Sequence, residues 1–501
     1  MSIQQAVPLT IVLVGDGVSL AFTFPPTRSP VDNLSHTSSL GANIIPVAAQ
    51  LISPPVPASV SVDTFGNVTI TTVSAIASGV AKAFEVRLLL GSYPILVSDS
   101  ALKVTTIAPG AGSADAFGRM RVADPTTIFQ LLYQYDTQPL FMQFANVGTG
   151  STVKTTNESS LTLSTGGTVA NAQAIAQTKE YFAYEPGKSQ LILISAVLNS
   201  ALTNARQRLG YFDANNGIFF EMSGATGVAL VLRSNASGSI VETRVPQASW
   251  NIDKVDGTGS SGVTVDFSKS QVFVIDFQWL GAGRVRFGFF INGVYTFIHS
   301  MPLSNSLVGP YMNTACLPVR AEITNTGVPV SADTMKVICI SVVSEGGQEK
   351  PLLLNFGAST GATVTSVTTR RPILSIRPKL LFAGQTNRTR IFLSDLVILS
   401  NQKDLEYELV YNGVLTGSAF SSVDSNSAVE KDTSATSIAG GTIYKTGYAS
   451  TDEIAQINPV CRYPFTLDIT GTVQDIISVV VTTVPSGATS ASAAFTWEEL
   501  R

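Results

Sequence analysis

The residue types able to do chemistry in this 501-residue chain are mostly acids. Asp213, Glu221, Asp253, Asp256, Asp266 and Asp276 fall within one stretch of the sequence. Two carboxyl groups about 5–10 Å apart across a cleft can hydrolyse a glycosidic bond, one as the acid and the other as base or nucleophile. Turn chemistry competes with that reading. Asp213 in YFDANNG and Asp256 in NIDKVDGTG lie in turn-forming runs, where an Asp side chain bonds back to its own backbone. The pattern favours turn and solvated-face roles, and no catalytic residue is assigned.

A hard cation needs several oxygen ligands on one constrained loop. DANNG begins like such a loop, but Gly217 stands at a ligand position and no Glu follows at the required distance. Asp253 and Asp256 in DKVDG are a closer pair without further ligands in sequence. The chain has two histidines, His36 and His299, so imidazole-based metal binding and acid–base catalysis have little to draw on. Cys316, Cys339 and Cys461 form no C-x-x-C pair and read as buried free thiols. Glycine-rich runs give neither a Walker motif nor a strand–GxGxxG–helix context. The expectation is a protein with no metal and no cofactor that is not an enzyme.

Arginine spacing carries a different signal. Arg206 and Arg208 in NARQRLGYF, and Arg284 and Arg286 in GAGRVRFGFF, stand two apart and share one face of an extended strand. Arg370, Arg371, Arg377 and Lys379 crowd TRRPILSIRPK. Guanidinium forks pair with carboxylates at interfaces, or they simply solubilise a half-exposed sheet. Trp250 and Trp279, with Asp253 and Asp256 nearby in sequence, are candidate glycan contacts. Tyr295 and Tyr311 are further aromatic platforms, although each of these rings suits a core equally well.

These side chains must be held by strands. Runs such as QLILISAVL, SQVFVIDFQWL, GRVRFGFFING and DIISVVVTTV are β-branched or aromatic and are bounded by Gly, Asn, Asp, Pro and Ser. Asn216-Gly217, Asn292-Gly293 and Asn412-Gly413 sit between apolar runs and fit tight hairpin turns. Helical periodicity is scarce. One short helix is predicted in DPTTIFQLLYQYDTQP, with Asp124 as cap and Pro125 at the first helical position. The fold class read from this is all-β, with several antiparallel β-sandwich or jelly-roll-like domains and little helix. The expected divisions are an N-terminal β domain at 1–108, a linker and bridging segment at 109–169, a central lectin- or jelly-roll-like sandwich at 170–400 and a C-terminal β domain at 401–501.

Composition narrows the function classes. Charged residues make up 13% and hydrophobic residues 45%, with 31 Lys and Arg against 35 Asp and Glu. An ordinary soluble chain carries about 25% charged residues. Such apolar content excludes a disordered chain, and sparse, unclustered cations disfavour a nucleic-acid partner. The uncharged stretches 40–62 and 476–497 are broken by Pro, Gly, Ser and Thr, so no membrane insertion is expected. MSIQQAVPLTIVLVGDG lacks the basic region and cleavage site of a signal peptide, which points to cytoplasmic synthesis. A poorly charged exterior suits a chain covered by partner chains.

The run DAFGRMRVADPTTIFQLLYQYDTQP at 115–139 resembles the AFGR-x-RV-x-x-P-x-T-x-F segment of tailed-bacteriophage virion structural proteins. Ala116, Phe117, Gly118, Arg119, Arg121, Val122, Pro125, Thr127 and Phe129 carry the match. The likeness continues through QRLGYFDANNGIFFEM, IDFQWLGAGRVRFGFFING and GPYMNTACLPVRAEI, so it spans about 115–345. The opening GDGVSLAFTFPP also looks like the entry strand of phage fibre and tailspike head-binding regions.

The resemblance implies a structural component of the virion, made in the host cytoplasm: a fibre, a head or collar appendage, or a tail or baseplate protein. It implies assembly with itself, as a homotrimer, and with other virion proteins. Phe117, Arg119, Arg121, Arg206, Arg208, Arg284 and Arg286 are then the assembly candidates. A carbohydrate-binding protein that recognises a host surface glycan during attachment is the alternative, and a glycan depolymerase is a third reading. An assembly protein predicts large chain–chain interfaces. A lectin predicts an exposed Trp or Tyr beside Asn and Asp. An enzyme predicts two carboxylates facing one groove.

Overall fold

Short β-branched and aromatic runs become strands throughout the computed structural model. It describes residues 115–116, 124–346, 353–451, 454–484 and 487–501, together with the backbone of six strands within residues 6–90. Two compact units result, Met1–Ala114 and Asp115–Arg501. In the first, strands Ala6–Val14, Ala81–Leu90, Ile44–Leu51, Pro57–Val62, Val68–Thr72 and Ala21–Phe24 form one antiparallel sheet in that order.

The second unit opens with a two-sheet sandwich. One sheet runs Val294–Met301, Val285–Ile291, Gln271–Phe277, Gln190–Leu198, Thr334–Glu345, Ser160–Ser164, Ser151–Thr155, and Pro125–Leu132 also pairs with Thr334–Glu345. The facing sheet runs Val241–Pro246, Gly227–Ser234, Gly217–Ser223, Ala205–Phe212, Val319–Asn325, Gln173–Thr178, Met142–Val147. Alternation along each strand sends one set of side chains inward. Leu209, Tyr211, Ile218, Phe220, Leu230 and Ile323 meet Ile192, Ile194, Phe273, Ile275, Phe287 and Phe289 in one buried core. The Phe220 ring lies 5.0, 5.3 and 5.5 Å from the rings of Phe273, Phe287 and Phe289. Each such burial contributes about 1.5–3 kcal/mol.

A second lobe of the same unit packs a five-stranded sheet built on Thr489–Leu500 and Arg390–Ser400 against a six-stranded sheet. The latter runs Ser421–Ser422, Val429–Asp432, Arg371–Pro378, Ile477–Val484, Asp404–Tyr411, Thr442–Ala449. Trp497, Leu396, Ile376 and Val479 lie in its core. The lobes are bolted together. Lys179 Nζ donates to Tyr411 Oη at 3.1 Å and lies 3.7 Å from Asp475 Oδ1. Glu180 pairs with Arg390, and the Arg388 guanidinium lies 4.3 Å from the Tyr181 ring centre.

Three expectations need correcting. Residues 125–132 form a strand, not a helix: Phe129 and Leu131 alternate inward and the segment is held by Thr334–Glu345. The stretch assigned as linker, 109–169, supplies four strands of the sandwich from Pro125 onward. The sandwich ends at Glu345, and Leu354–Ser359 already pairs with Thr489–Leu500, so the lobe boundary falls near 350 and not near 400. No α-helix occurs among the described residues; Thr156–Glu158 and Gln247–Ser249 are single 3-10 turns.

Candidate binding surfaces and the fate of the predicted residues

The outer face of the seven-stranded sheet carries charges in register. Alternation that buries Leu209 and Tyr211 turns Arg206 and Arg208 to the opposite face, as their spacing requires. Arg208 stands opposite Glu221 on the neighbouring strand and opposite Glu322 on the other side. Its Nε donates to Glu221 Oε2 at 2.8 Å, and its Nη2 donates to Glu242 at 3.0 Å. Arg244 reaches Glu221 at 2.9 Å, Arg233 reaches Glu242 at 2.8 Å, and Arg320 reaches Glu322 at 2.6 Å. Beneath them Phe212, Phe219 and Val231 form a small buried cluster. The Arg208 and Arg233 guanidinium carbons each lie 5.1 Å from the Phe219 ring centre, so cations seal an apolar patch.

Electrostatics fix the protonation of this ladder. Burial alone would raise the Glu221, Glu242 and Glu322 carboxyls. The arginines overcome it, Arg244 and Arg208 at Glu221, Arg208 and Arg233 at Glu242, Arg320 and Arg208 at Glu322, and hold all three below the ordinary glutamate range. A glycosidase acid needs the opposite shift. Arg208 is only 3% exposed and is spent on its own chain, so it is not the free interface group that its sequence suggests. Arg206 is the less engaged member, 4.0 Å from Glu221.

Arg286 is also absorbed internally: it faces Asp276 across paired strands, donates from Nε to Oδ2 at 3.1 Å and lies 4.2 Å from the Phe297 ring centre. Arg284 does something different. Its Nε donates to the Ala116 carbonyl oxygen at 2.5 Å, while Gln278 Nε2 donates to Asp115 Oδ2 at 3.0 Å. Both Asp115 and Ala116 are buried. The start of the DAFGR segment is thus clasped to the sandwich. Phe117, Arg119 and Arg121 lie outside the described residues, as does His36.

The candidate glycan contacts are placed as follows. Trp250 is a core residue whose Nε1 donates to the Val245 carbonyl at 3.2 Å, so its ring offers no open platform. Trp279 is half-buried edge-on to Tyr184. Asp253 is buried and accepts from the Val255 and Ser261 amides at 2.8 and 2.7 Å. Asp256 accepts from Thr258 through both N and Oγ1, and Asp266 does the same with Ser268. Asp213 caps the turn before Asn216. These acids close loops. Tyr311 is buried and Tyr295 packs on Phe290. The thiols of Cys316, Cys339 and Cys461 are free, and His299 Nδ1 accepts from the Asn251 amide at 3.1 Å. Among the described residues no group of three His, Cys, Asp or Glu is arranged to hold a metal ion.

One basic group was not singled out by sequence reasoning. Arg388 and Arg390 in TNRTRIF stand two apart like the other arginine pairs, and they line the junction between the lobes. The spacing signal that marks Arg206 and Arg208 marks them equally.

No family model matches the chain, and no curated protein matches it. Among solved structures it is similar to a Bacillus licheniformis beta-glucanase (11% identity, 44% of this chain, 98% of that chain, TM-score 0.28). It is also similar to a legume lectin-like domain from Entamoeba histolytica (11%, 42% and 95%, TM-score 0.25) and to lectin I-B4 from Griffonia simplicifolia (12%, 43% and 99%, TM-score 0.26). Function rests on the chain's own geometry.

Proposed function

We propose that this chain is a non-enzymatic structural component of a tailed-phage particle that assembles with copies of itself and with other particle proteins. The observation that supports it best is the edge strand Thr442–Ala449. It closes the six-stranded sheet, and a bulge at Tyr444 brings Ile443 and Tyr448 to one face, where both are exposed. The bulge and Lys445 blunt the edge against uncontrolled pairing. The two exposed apolar side chains beside it suit cover by a neighbouring chain. The clasp of Arg284 on Ala116 supports the same reading, because it builds the virion-like segment into the sandwich.

Sedimentation of the full chain tests assembly. A stable oligomer is expected, shifted toward monomer by the double variant Ile443→Lys, Tyr448→Lys with its melting temperature kept. An antibody raised against the chain should label intact particles. A monomer at all concentrations, or unlabelled particles, would sink the proposal.

A further inference from the structure

We infer that the groove along the lobe junction binds an acidic oligosaccharide, its carboxylates held by arginine. This goes beyond the assembly reading and does not depend on it. One cleft encloses about 680 Å³ between the sandwich segment around Tyr184 and the second-lobe segment around Arg388. That is the size of a site for two or three sugar rings, and lobe junctions are where such sites form. A smaller cavity of about 110 Å³ adjoins it and shares Tyr181, Arg388, Thr389 and Arg390 with it.

Charge is the argument. In a chain with 13% charged residues and a net charge of −4, the two cavities together are lined by Lys188, Arg388, Arg390, Arg462 and Arg501. Arg390 pairs with Glu180, Lys188 with Glu185 and Arg501 with Glu499, so Arg388 and Arg462 are the cations of the lining without an acidic partner among the described residues. Arg462 is exposed and makes no hydrogen bond or ion pair among the described residues. Arg390 gives one nitrogen to Glu180, while its Nη1 is buried without a partner. Arg388 is already oriented: Nη1 and Nη2 donate to the Leu467 and Asp468 carbonyls at 3.0 and 2.9 Å, and the Tyr181 ring lies beneath its plane. Pre-positioned guanidinium groups recognise carboxylates with little loss of rotamer freedom.

The rest of the lining separates a saccharide from other polyanions. Gln385, Thr386 and Thr389 offer amide and hydroxyl partners for sugar hydroxyls, and Tyr184 and Leu500 offer apolar surface for ring C–H faces. Single-stranded nucleic acid is held by stacking its bases on free aromatic faces. Here Tyr181 is covered by Arg388 and Phe382 by Arg501, 4.5 Å from the ring centre, so those faces are taken.

Titration calorimetry on the full chain tests this with a galacturonate hexamer, a neutral hexasaccharide of equal length and a single-stranded DNA hexamer. The galacturonate should bind, weaken as salt rises, and lose about tenfold in affinity with Arg462→Ala, one charge-assisted hydrogen bond. Arg462 has no hydrogen-bond or ion-pair partner among the described residues, so that variant should melt as the parent does. The control Lys269→Ala, outside the groove, should leave it unchanged. Absent galacturonate binding, equal binding of the neutral sugar, tighter binding of the DNA, or an unaffected Arg462→Ala would each overturn the inference.

Discussion

Arg208 and Glu221 face each other across the paired strands Ala205–Phe212 and Gly217–Ser223, joined by a 2.8 Å contact from Nε to Oε2. Both side chains are almost fully buried, 4% and 1% exposed. Glu221→Ala takes one acceptor from each of Arg208 and Arg244 while Glu242 still holds both. The expected cost is about 1.5–3 kcal/mol, that of a lost charge-assisted hydrogen bond. Urea denaturation checks it; a loss under about 1 kcal/mol would mean the face is solvated like an ordinary surface pair.

The ladder also sets an acid limit. Glu221, Glu242 and Glu322 are held below their ordinary range in the folded chain. A depressed carboxylate stabilises the fold fully above its unfolded pKa, about 4.3, and that contribution fades as pH falls through the folded value. Glu180 and Asp333, raised by burial, act in the opposite direction but are fewer. Melting temperature should therefore be level from about pH 7 to 5 and drop below about pH 4. A melting temperature that rises on acidification would contradict the assignment.

The Lys179 junction predicts coupled lobes. Lys179→Met leaves Asp475 with Asn412 and the Thr466 amide but removes its cation, and it strips a donor from Tyr411. Calorimetry of the parent should show the sandwich and second lobe melting together. The variant should lose about 3 kcal/mol and broaden or split that transition. An unchanged single peak would show that other contacts carry the coupling.

Arg284→Ala should loosen the clasp without unfolding the sandwich. A hydrogen bond from a charged donor contributes about 1.5–3 kcal/mol. Hydrogen exchange should quicken in the peptide containing Asp115 and Ala116, while the Phe220 core peptide stays protected. Equal quickening in both would mean that Arg284 supports the whole lobe.

Core packing gives the largest single effect. Phe220→Ala removes a ring in contact with three other phenylalanines and should cost about 3–5 kcal/mol by denaturant titration.

Local chemistry was legible where local chemistry decides. Asn292 and Gly293 both adopt positive φ, 51° and 81°, and join Ile291 to Val294 in a two-residue hairpin. Asn216 and Asn412 carry the same dipeptide into other roles. Asn216 Oδ1 accepts from the distant Asn235 and Asn313 amides, and Asn412 bonds to Asp475 and Ile476. Their partners come from far along the chain, so spacing gives no hint of them. The one-face pairing of Arg206 and Arg208 could be read from alternation. That Glu221, Glu242 and Glu322 would meet them depends on strand register, which one sequence does not reveal. Pro125 suits a helix start, yet Thr126, Thr127 and Ile128 are β-branched, and the waiting strand Thr334–Glu345 decides the matter.

That last pairing has a consequence for biosynthesis. The sandwich's opening strand, Pro125–Leu132, takes its ladder from the final one, Thr334–Glu345, which also separates Gln190–Leu198 from Ser160–Ser164. As the ribosome delivers the chain, the middle of one layer stays vacant until the end of the lobe emerges. Closure is a late, long-range event, and until then the nascent polypeptide exposes sticky ladder edges to its neighbours on the same messenger RNA.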